Sequence, residues 1–285
     1  MDKPDATMLW EENAEAWTQL ARMGYDIYRD GCNSPAFLDM LPPVTGLKGL
    51  DVGCGEGANT RSVAALGATM VGVDVSPTFI KHAQGFEPRN DSGKAHELPI
   101  YDEPVQVSSP IEYLVTDGAL LPFASQSFDF VMSTMVLMDV ENVETTLKEI
   151  NRVMKRDGFF QFSIVHPCFQ TPGMRWLLDS SGNRNGVEAA RYFQEGRIDD
   201  EWTFTAAPAE VLKAFKPFRV AHFHRTLSSW MTLLRTTGFY LDALIEPCPD
   251  DAAIAKYPPL RCMKDVPLFL HMRVLIDPQS PIGYD

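Results

Sequence analysis

The stretch 49–74 constrains the fold of this chain more than any other part of the sequence. It holds a short apolar run, then three glycines at alternate positions (Gly53, Gly55 and Gly57), a helical segment, and a second apolar run that ends at Asp74. This is the order of a βαβ unit. Glycines suit its turn because the chain reverses sharply there and a ligand must approach the bare backbone.

The residues around the glycines indicate which ligand the turn binds. A dinucleotide favours G-x-G-x-x-G, which this chain matches only as Gly53-x-Gly55-x-x-Ala58. It fits acid-x-G-x-G-x-G better, and the carboxylate of Asp51 would repel a pyrophosphate but suit an ammonium or a sulfonium. Asp74 can accept hydrogen bonds from both hydroxyls of a ribose. A dinucleotide site and purely structural glycines are the alternatives.

Composition excludes several other classes of protein. The net charge of −13 and the pI near 4.9 leave no excess of Lys and Arg for nonspecific nucleic-acid binding. The five cysteines are odd in number, widely spaced and without a C-x-x-C pair, so we expect free thiols rather than disulfides or a zinc site. The sequence has neither a signal peptide nor a bilayer-spanning apolar run, which predicts a soluble, cytoplasmic protein with no membrane partner.

A second motif follows the third predicted strand, 111–115. Asp117 comes at its end, with Gly118 and Ala119 behind it. A carboxylate there can accept from the exocyclic amine of an adenine while a backbone N–H donates to a ring nitrogen; an Asp in an ordinary turn is the alternative. Leu-Pro-Phe at 121–123 and a fourth strand at 127–132 complete the pattern.

Together the two motifs resemble class I S-adenosylmethionine-dependent methyltransferases, and most of all the bacterial small-molecule group with a type-11 methyltransferase domain. That group shares Asn59-Thr60-Arg61 and His166-Pro167, and the resemblance covers roughly 45–165 and 225–276. It implies S-adenosyl-L-methionine as cofactor, S-adenosyl-L-homocysteine as product and no metal. The cofactor-binding residues that it implies are Asp51, Gly53, Cys54, Gly55, Gly57, Asp74, Val75, Asp117, Gly118, Ala119 and Ser133.

The predicted fold class is α/β. Strands interleave with helices until the last two, so we expect a Rossmann-like seven-stranded, mostly parallel sheet with an antiparallel C-terminal edge hairpin, helices on both faces and an inserted cap. One helix is predicted to start after Asn142 and to end at Gly158, and 246–267 is predicted to be a loop. The predicted divisions are an N-terminal helical lid at 1–44, a methyltransferase core at 45–169 and 225–285, and a substrate-side cap at 170–224.

Two of these segments have plainer interpretations as well. The N-terminal helix, with Trp10 and Trp17 at near-helical spacing, is either a lid over the cofactor or a packing helix. The aromatic insert 170–224 is either a cap with a short β-ribbon or an oligomer contact. The proline-rich stretch 86–110 is predicted to be a long loop or flap.

His166 is the candidate catalytic base, because it follows the fifth strand at the ligand-binding edge. The alternative is a histidine that ties the insert to the sheet. Many relatives carry a His pair after the fourth strand, but this chain has 136–139 as Val-Leu-Met-Asp, so no imidazole base is expected there. His222 and His224 share one face of a strand, but two histidines without a third ligand are weak support for a metal.

The predicted function is therefore S-adenosylmethionine-dependent methyl transfer to a small molecule whose N, O or C acceptor atom stays open. The cofactor supplies the reactive carbon, so the protein mainly aligns the acceptor and excludes water. A nicotinamide-dependent oxidoreductase and a non-catalytic cofactor-binding regulatory protein are the alternatives. No nucleic-acid partner is expected, and the oligomeric state is left open.

Overall fold

A seven-stranded sheet forms the centre of the protein. The structure is a computed structural model and describes residues 4–86 and 110–279. The described strands are β1 (Lys48–Val52), β2 (Thr69–Asp74), β3 (Glu112–Val115), β4 (Phe128–Thr134), β5 (Met154–Val165), β6 (Arg175–Leu178), β7 (Arg184–Glu188), β8 (Gly196–Trp202), β9 (Phe218–His224), β10 (Phe239–Ile245) and β11 (Phe269–Ile276). The order across the sheet is β10-β11-β5-β4-β1-β2-β3, in which β11 is antiparallel to both neighbours and the other pairs are parallel. The predicted fold class is confirmed.

Helices cover both faces of this sheet because its strands alternate apolar side chains between two clusters. The described helices are α1 (Ala6–Arg22), α2 (Ser34–Asp39), α3 (Ala58–Ala65), α4 (Pro77–Gln84), α5 (Val143–Val153), α6 (Ala209–Leu212), α7 (Leu227–Thr236) and α8 (Asp251–Lys256). On one face, Leu147 of α5 and Trp230 of α7 pack in one cluster with Phe160 of β5. On the other, Phe37 of α2 packs with Phe130 of β4.

Two predicted boundaries are wrong. The helix after Asn142 ends at Val153 rather than at Gly158, because Met154 is extended and pairs with Phe128 of β4. Gly158 lies within β5, where a Cβ would stand 2.5 Å from the carbonyl oxygen of Asp129, so glycine permits a close backbone approach. The predicted loop 246–267 contains α8 and a 3₁₀ helix, Pro258–Lys264.

The insert consists mainly of two β-ribbons outside the central sheet. Strands β6 and β7 pair antiparallel, as do β8 and β9. The amide of Asn13 on α1 donates to the backbone carbonyl of Arg219 on β9, so the N-terminal helix and the insert lie against each other. The predicted flap 86–110 falls almost entirely outside the described residues. Within those residues, none of the helices has both the length and the apolar character needed to cross a membrane.

Candidate functional site

A cavity of about 710 Å³ lies at the carboxyl ends of the parallel strands β1 to β4. Small-molecule sites usually have volumes of about 300–1,000 Å³, and open α/β sheets bind ligands at this edge. The cavity is lined by eight of the eleven residues that the resemblance implied for the cofactor, namely Gly53, Cys54, Gly55, Asp74, Val75, Asp117, Gly118 and Ala119.

The three glycines of the turn serve different purposes. Gly53, Gly55 and Gly57 have φ angles of 77°, 54° and 87°, a region that favours glycine. A Cβ on Gly53 would lie 2.4 Å from Val136 Cγ2, and one on Gly57 would lie 2.6 Å from the Tyr113 hydroxyl oxygen. A Cβ on Gly55 would meet no atom of the described residues within 4 Å. Gly57 does not line the cavity, and its lack of a side chain makes room for Tyr113, whereas Gly55 borders open space.

Two carboxylates stand at the ends of β2 and β3. Asp74 is buried, and its Oδ2 and Oδ1 accept from the backbone N–H groups of Gly55 and Ser76, both at 2.9 Å. Burial raises the pKa of Asp74 to about 6, although these two hydrogen bonds by themselves would lower it. Asp117 is exposed in the cavity wall, and its Oδ1 accepts from the Ala119 N–H at 2.8 Å. Each carboxylate retains lone pairs for a further donor.

Asp51 and Ser133, which the resemblance also implied for the cofactor, do not line the cavity. Side chains alternate along a strand, and Asp51 faces α3, where its Oδ2 accepts from the Thr60 hydroxyl at 2.6 Å. Its Oδ1 is buried without a hydrogen-bond partner among the described residues, and burial raises the pKa of Asp51 to about 7. The Ser133 hydroxyl donates to the Val52 carbonyl at 2.8 Å and fastens β4 to β1.

His166 lies outside the cavity lining with both ring nitrogens engaged. The side chain is 4% exposed, Nε2 is 2.7 Å from Glu246 Oε1, and Nδ1 accepts from the Cys168 N–H at 3.2 Å. Its backbone N–H also donates to the Leu268 carbonyl at 2.8 Å. A general base needs a free nitrogen facing the substrate. This placement favours the alternative stated above, a histidine that ties the start of the insert to the sheet.

Replacing His166 with alanine is therefore expected to lower stability rather than turnover. The substitution removes two hydrogen bonds of a buried ring, which typically costs about 1–3 kcal/mol of the free energy of unfolding. Urea unfolding measures this loss, and methyl transfer by the folded protein should stay near the wild-type rate. A variant with wild-type stability and strongly reduced turnover would instead indicate that His166 is the catalytic base.

An aspartate–histidine pair lines the same cavity, and the sequence did not predict it. Asp139 closes the 3₁₀ turn Leu137–Asp139 after β4, and His222 lies on β9 in the insert. His222 Nδ1 is hydrogen-bonded to Asp139 Oδ1. Burial alone would lower the pKa of His222, but the carboxylates of Asp139 and Asp200 outweigh it, so the pKa lies above its ordinary value of 6.5. The spacing of His222 and His224 predicted that both lie on one face of a strand. Nothing in the sequence predicted that His222 contacts Asp139.

The second histidine of β9 has a separate role. His224 is buried, does not line the cavity, and bonds through Nε2 to the Tyr192 carbonyl oxygen at 2.8 Å. It therefore does not share a ligand site with His222. In the part of the chain that the structure describes, no cluster of three or more His, Cys, Asp or Glu side chains could hold a metal.

Helix α1 is fastened across the glycine turn by charged side chains. Glu11 accepts hydrogen bonds from the hydroxyls of Ser76 and of Thr78, the latter at 2.6 Å. Arg22, at the other end of the helix, donates to Glu56 Oε2 at 2.8 Å. Glu56 itself belongs to the glycine turn and lines the cavity. These contacts hold α1 over the ends of β1 and β2.

Aromatic rings close the other side of the cavity. Trp17 of α1 lies 5.3 Å from Trp202 and 4.8 Å from Phe204, measured between ring centroids, and all three line the cavity together with Trp10. Trp202 and Phe204 belong to the insert. The N-terminal helix and the insert thus share one aromatic wall, defined here as Trp17, Trp202 and Phe204.

The lining suits S-adenosylmethionine. The open space beside Gly55 leaves room for a ligand at the backbone of the turn. The carboxylates of Asp74 and Asp117 at the strand ends can accept from ribose hydroxyls and an adenine amine, and they favour a ligand with positive charge.

Comparison with known proteins agrees with this chemistry. Residues 50–162 match the methyltransferase domain family. A crystal structure of an S-adenosylmethionine-dependent methyltransferase from Mesorhizobium loti superposes with a TM-score of 0.64 and 28% identity, over 85% of this chain and 96% of that one. A demethylmenaquinone methyltransferase of Tropheryma whipplei is 34% identical over 42% of each chain. A ubiquinone biosynthesis O-methyltransferase of Brucella ovis is 29% identical over 47% of this chain and 51% of its own length.

The alignments with the two curated relatives thus span about half of those proteins or less. The shared part is the domain that carries the glycine turn, and the M. loti structure extends the likeness over most of the chain. The oxidoreductase and the non-catalytic protein are therefore not retained. The chain is a class I S-adenosylmethionine-dependent methyltransferase, an enzyme that takes its methyl group from S-adenosylmethionine.

Proposed function

We propose that this enzyme methylates a small aromatic acceptor that binds beside the cofactor, in the part of the cavity that α1 and the insert cover. One observation carries the proposal: a single cavity extends from the glycine turn to the aromatic wall. Flat rings pack well against tryptophan and phenylalanine side chains. The names of both curated relatives refer to quinone compounds, which are ring systems of this kind.

The cofactor end of the cavity would use the residues at the strand ends. Asp74 would accept hydrogen bonds from the ribose hydroxyls, and Asp117 would accept from the adenine amine. Gly53, Cys54 and Gly55 would leave room along the backbone, while the remaining lining, Val75, Gly118 and Ala119, would contact the adenosine. S-adenosylmethionine supplies an electrophilic methyl group, so this chain has to hold and orient both molecules.

The acceptor end would exclude water. We propose that the divisions 1–44 and 170–224 act as lid and cap over the core at 45–169 and 225–285. The proposal is supported by the ion pair of Arg22 with Glu56 and by the aromatic wall that both segments build. A dry site strengthens the alignment of the acceptor and prevents hydrolysis of the donor.

The proposal is tested by incubating the purified enzyme with isotopically labelled methyl donor and the low-mass fraction of a cell extract. Mass spectrometry should find the label in an aromatic small molecule. Label that enters only protein or nucleic acid, or only an aliphatic compound, would refute the proposed acceptor class.

The variant Trp202→Ala tests in the same assay whether the acceptor binds at the aromatic wall. Removing one ring of the aromatic wall should raise KM for the labelled compound by about 10-fold, since such a contact contributes about 1–1.5 kcal/mol. Cofactor affinity should not change. Phe193→Ala is the matched control, because Phe193 is an aromatic residue of the same insert that is 85% exposed. Equal KM values for both variants would contradict acceptor binding at the wall.

A further inference from the structure

We propose, building on the function above, that His222 is the general base of this methyltransferase, that Asp139 positions it, and that the acceptor atom is a hydroxyl oxygen. The pair joins the insert to the loop after β4, and both side chains line the cavity. The proposal adds a catalytic residue and the chemical class of the acceptor group to the proposed function.

The hydrogen bond between the two side chains fixes the tautomer. An ionised carboxylate only accepts hydrogen bonds, so Nδ1 of His222 carries the proton that it donates to Asp139. Nε2 is then unprotonated and can accept a proton. The His222 side chain is 25% exposed, whereas that of Asp139 is 5% exposed, so the ring borders the cavity and the carboxylate stands behind it. A base held by a buried carboxylate is the arrangement that proton abstraction needs.

The other described histidines do not offer this arrangement. His166 and His224 are buried with carboxylate, backbone amide or carbonyl partners. His271 is fully buried beside Asn33, and burial lowers its pKa to about 4. His82 is paired with Glu15 on the outside of α1. Of the histidines that the structure describes, His222 alone lines the cavity.

The charges around His222 suit a group that gains a proton. Asp139 from the 3₁₀ turn and Asp200 of β8 both act on the ring, and both line the cavity. They stabilise the imidazolium that forms during the reaction, and this is why the pKa of His222 exceeds 6.5 in spite of burial. Among the described residues, the Asp139 carboxylate is hydrogen-bonded to the His222 ring, through which it would act, and it is therefore a positioning residue.

Of a hydroxyl and an amine acceptor, the hydroxyl is the one that needs such a base. An aromatic hydroxyl has a pKa of about 10, as in tyrosine, and is a weak nucleophile until its proton leaves. The O–H proton moves to Nε2 of His222, the freed oxygen lone pair forms the C–O bond to the methyl carbon, and the electron pair of the broken C–S bond stays on sulfur. A neutral aromatic amine already has a free lone pair and would not require His222.

The test uses the labelled product of the extract experiment and three variants. The labelled methyl group should lie on oxygen. His222→Ala should slow product formation by about 10²–10⁴-fold, with unchanged affinity for S-adenosylhomocysteine by calorimetry. Asp139→Asn should move the acidic limb of the pH–rate profile to lower pH, because it removes the carboxylate that raises the pKa of His222. His224→Ala, on the same strand but outside the cavity, should keep the wild-type profile.

Each outcome decides one of the two proposals. A methyl group on nitrogen or carbon of an aromatic product, or a His222→Ala enzyme with the wild-type rate, overturns the inference and leaves the proposed function intact. Absence of any labelled small molecule overturns the proposed function instead. Titration of the His222 ring by NMR, which needs no acceptor, should then still show a pKa that falls in Asp139→Asn; an unchanged pKa refutes the pairing itself.

Discussion

Asp74→Ala is expected to weaken the binding of S-adenosylmethionine by about 100-fold or more. In the proposed binding mode, the substitution removes two charge-assisted hydrogen bonds to the ribose. Each is worth about 1.5–3 kcal/mol, and about 1.4 kcal/mol corresponds to a tenfold change in affinity. It also frees the Gly55 N–H that Asp74 holds, which loosens the turn. Isothermal calorimetry with S-adenosylmethionine and S-adenosylhomocysteine measures the loss.

Asp129→Ala is the matched control for this prediction. Asp129 lies at the start of β4, at the amino ends of the parallel strands and therefore far from the cavity. Its carboxylate also accepts hydrogen bonds, from the Lys48 backbone N–H at 2.8 Å and from Lys155 Nζ at 2.6 Å. Losing it should leave cofactor affinity unchanged. Wild-type affinity in Asp74→Ala would contradict the ribose assignment.

The same carboxylate predicts a pH dependence of binding. Burial raises the pKa of Asp74 to about 6, so the group is ionised above this pH and protonated below it. Only the ionised form accepts from both ribose hydroxyls with full charge assistance. Cofactor affinity should therefore fall as the pH decreases from 7 to 5, and this dependence should be weaker in Asp74→Asn.

Gly55→Val is expected to abolish cofactor binding in a protein that still folds. Gly55 has φ of 54°, and a side chain there would project into the open space beside the turn. A non-glycine residue in this backbone region typically costs about 1–3 kcal/mol, which a domain of this size can tolerate. Circular dichroism should report a folded protein, and calorimetry with S-adenosylhomocysteine should show no heat of binding.

Gly46→Val separates backbone strain from the blocking of the site. Gly46 has φ of 77°, and a Cβ there would likewise meet no described atom within 4 Å, but the residue does not line the cavity. It should lose similar stability and keep its cofactor affinity. Two variants with the same affinity would mean that the space beside Gly55 is not used by the ligand.

The predictions that succeeded rest on local patterns. The segment from β1 through α3 to β2 could be predicted because short apolar runs, alternate glycines and a terminal acid lie next to each other in the chain. The direction in which a side chain points is not read from the sequence in the same way. Asp51 and Ser133 lie at the expected places in β1 and β4, but the alternation of side chains turns Asp51 toward Thr60 and the Ser133 hydroxyl toward Val52.

The sequence by itself thus determined the fold class and the cofactor, because both can be predicted from patterns formed by neighbouring residues in the chain. Tertiary structure alone decided which groups line the far side of the cavity, where we propose that the acceptor binds. Asp139 and His222 are 83 positions apart, and the aromatic wall joins Trp17 to Trp202 across most of the chain. These residues come into contact only when the insert packs over the sheet. Patterns of neighbouring residues in the sequence do not predict which distant elements pack together.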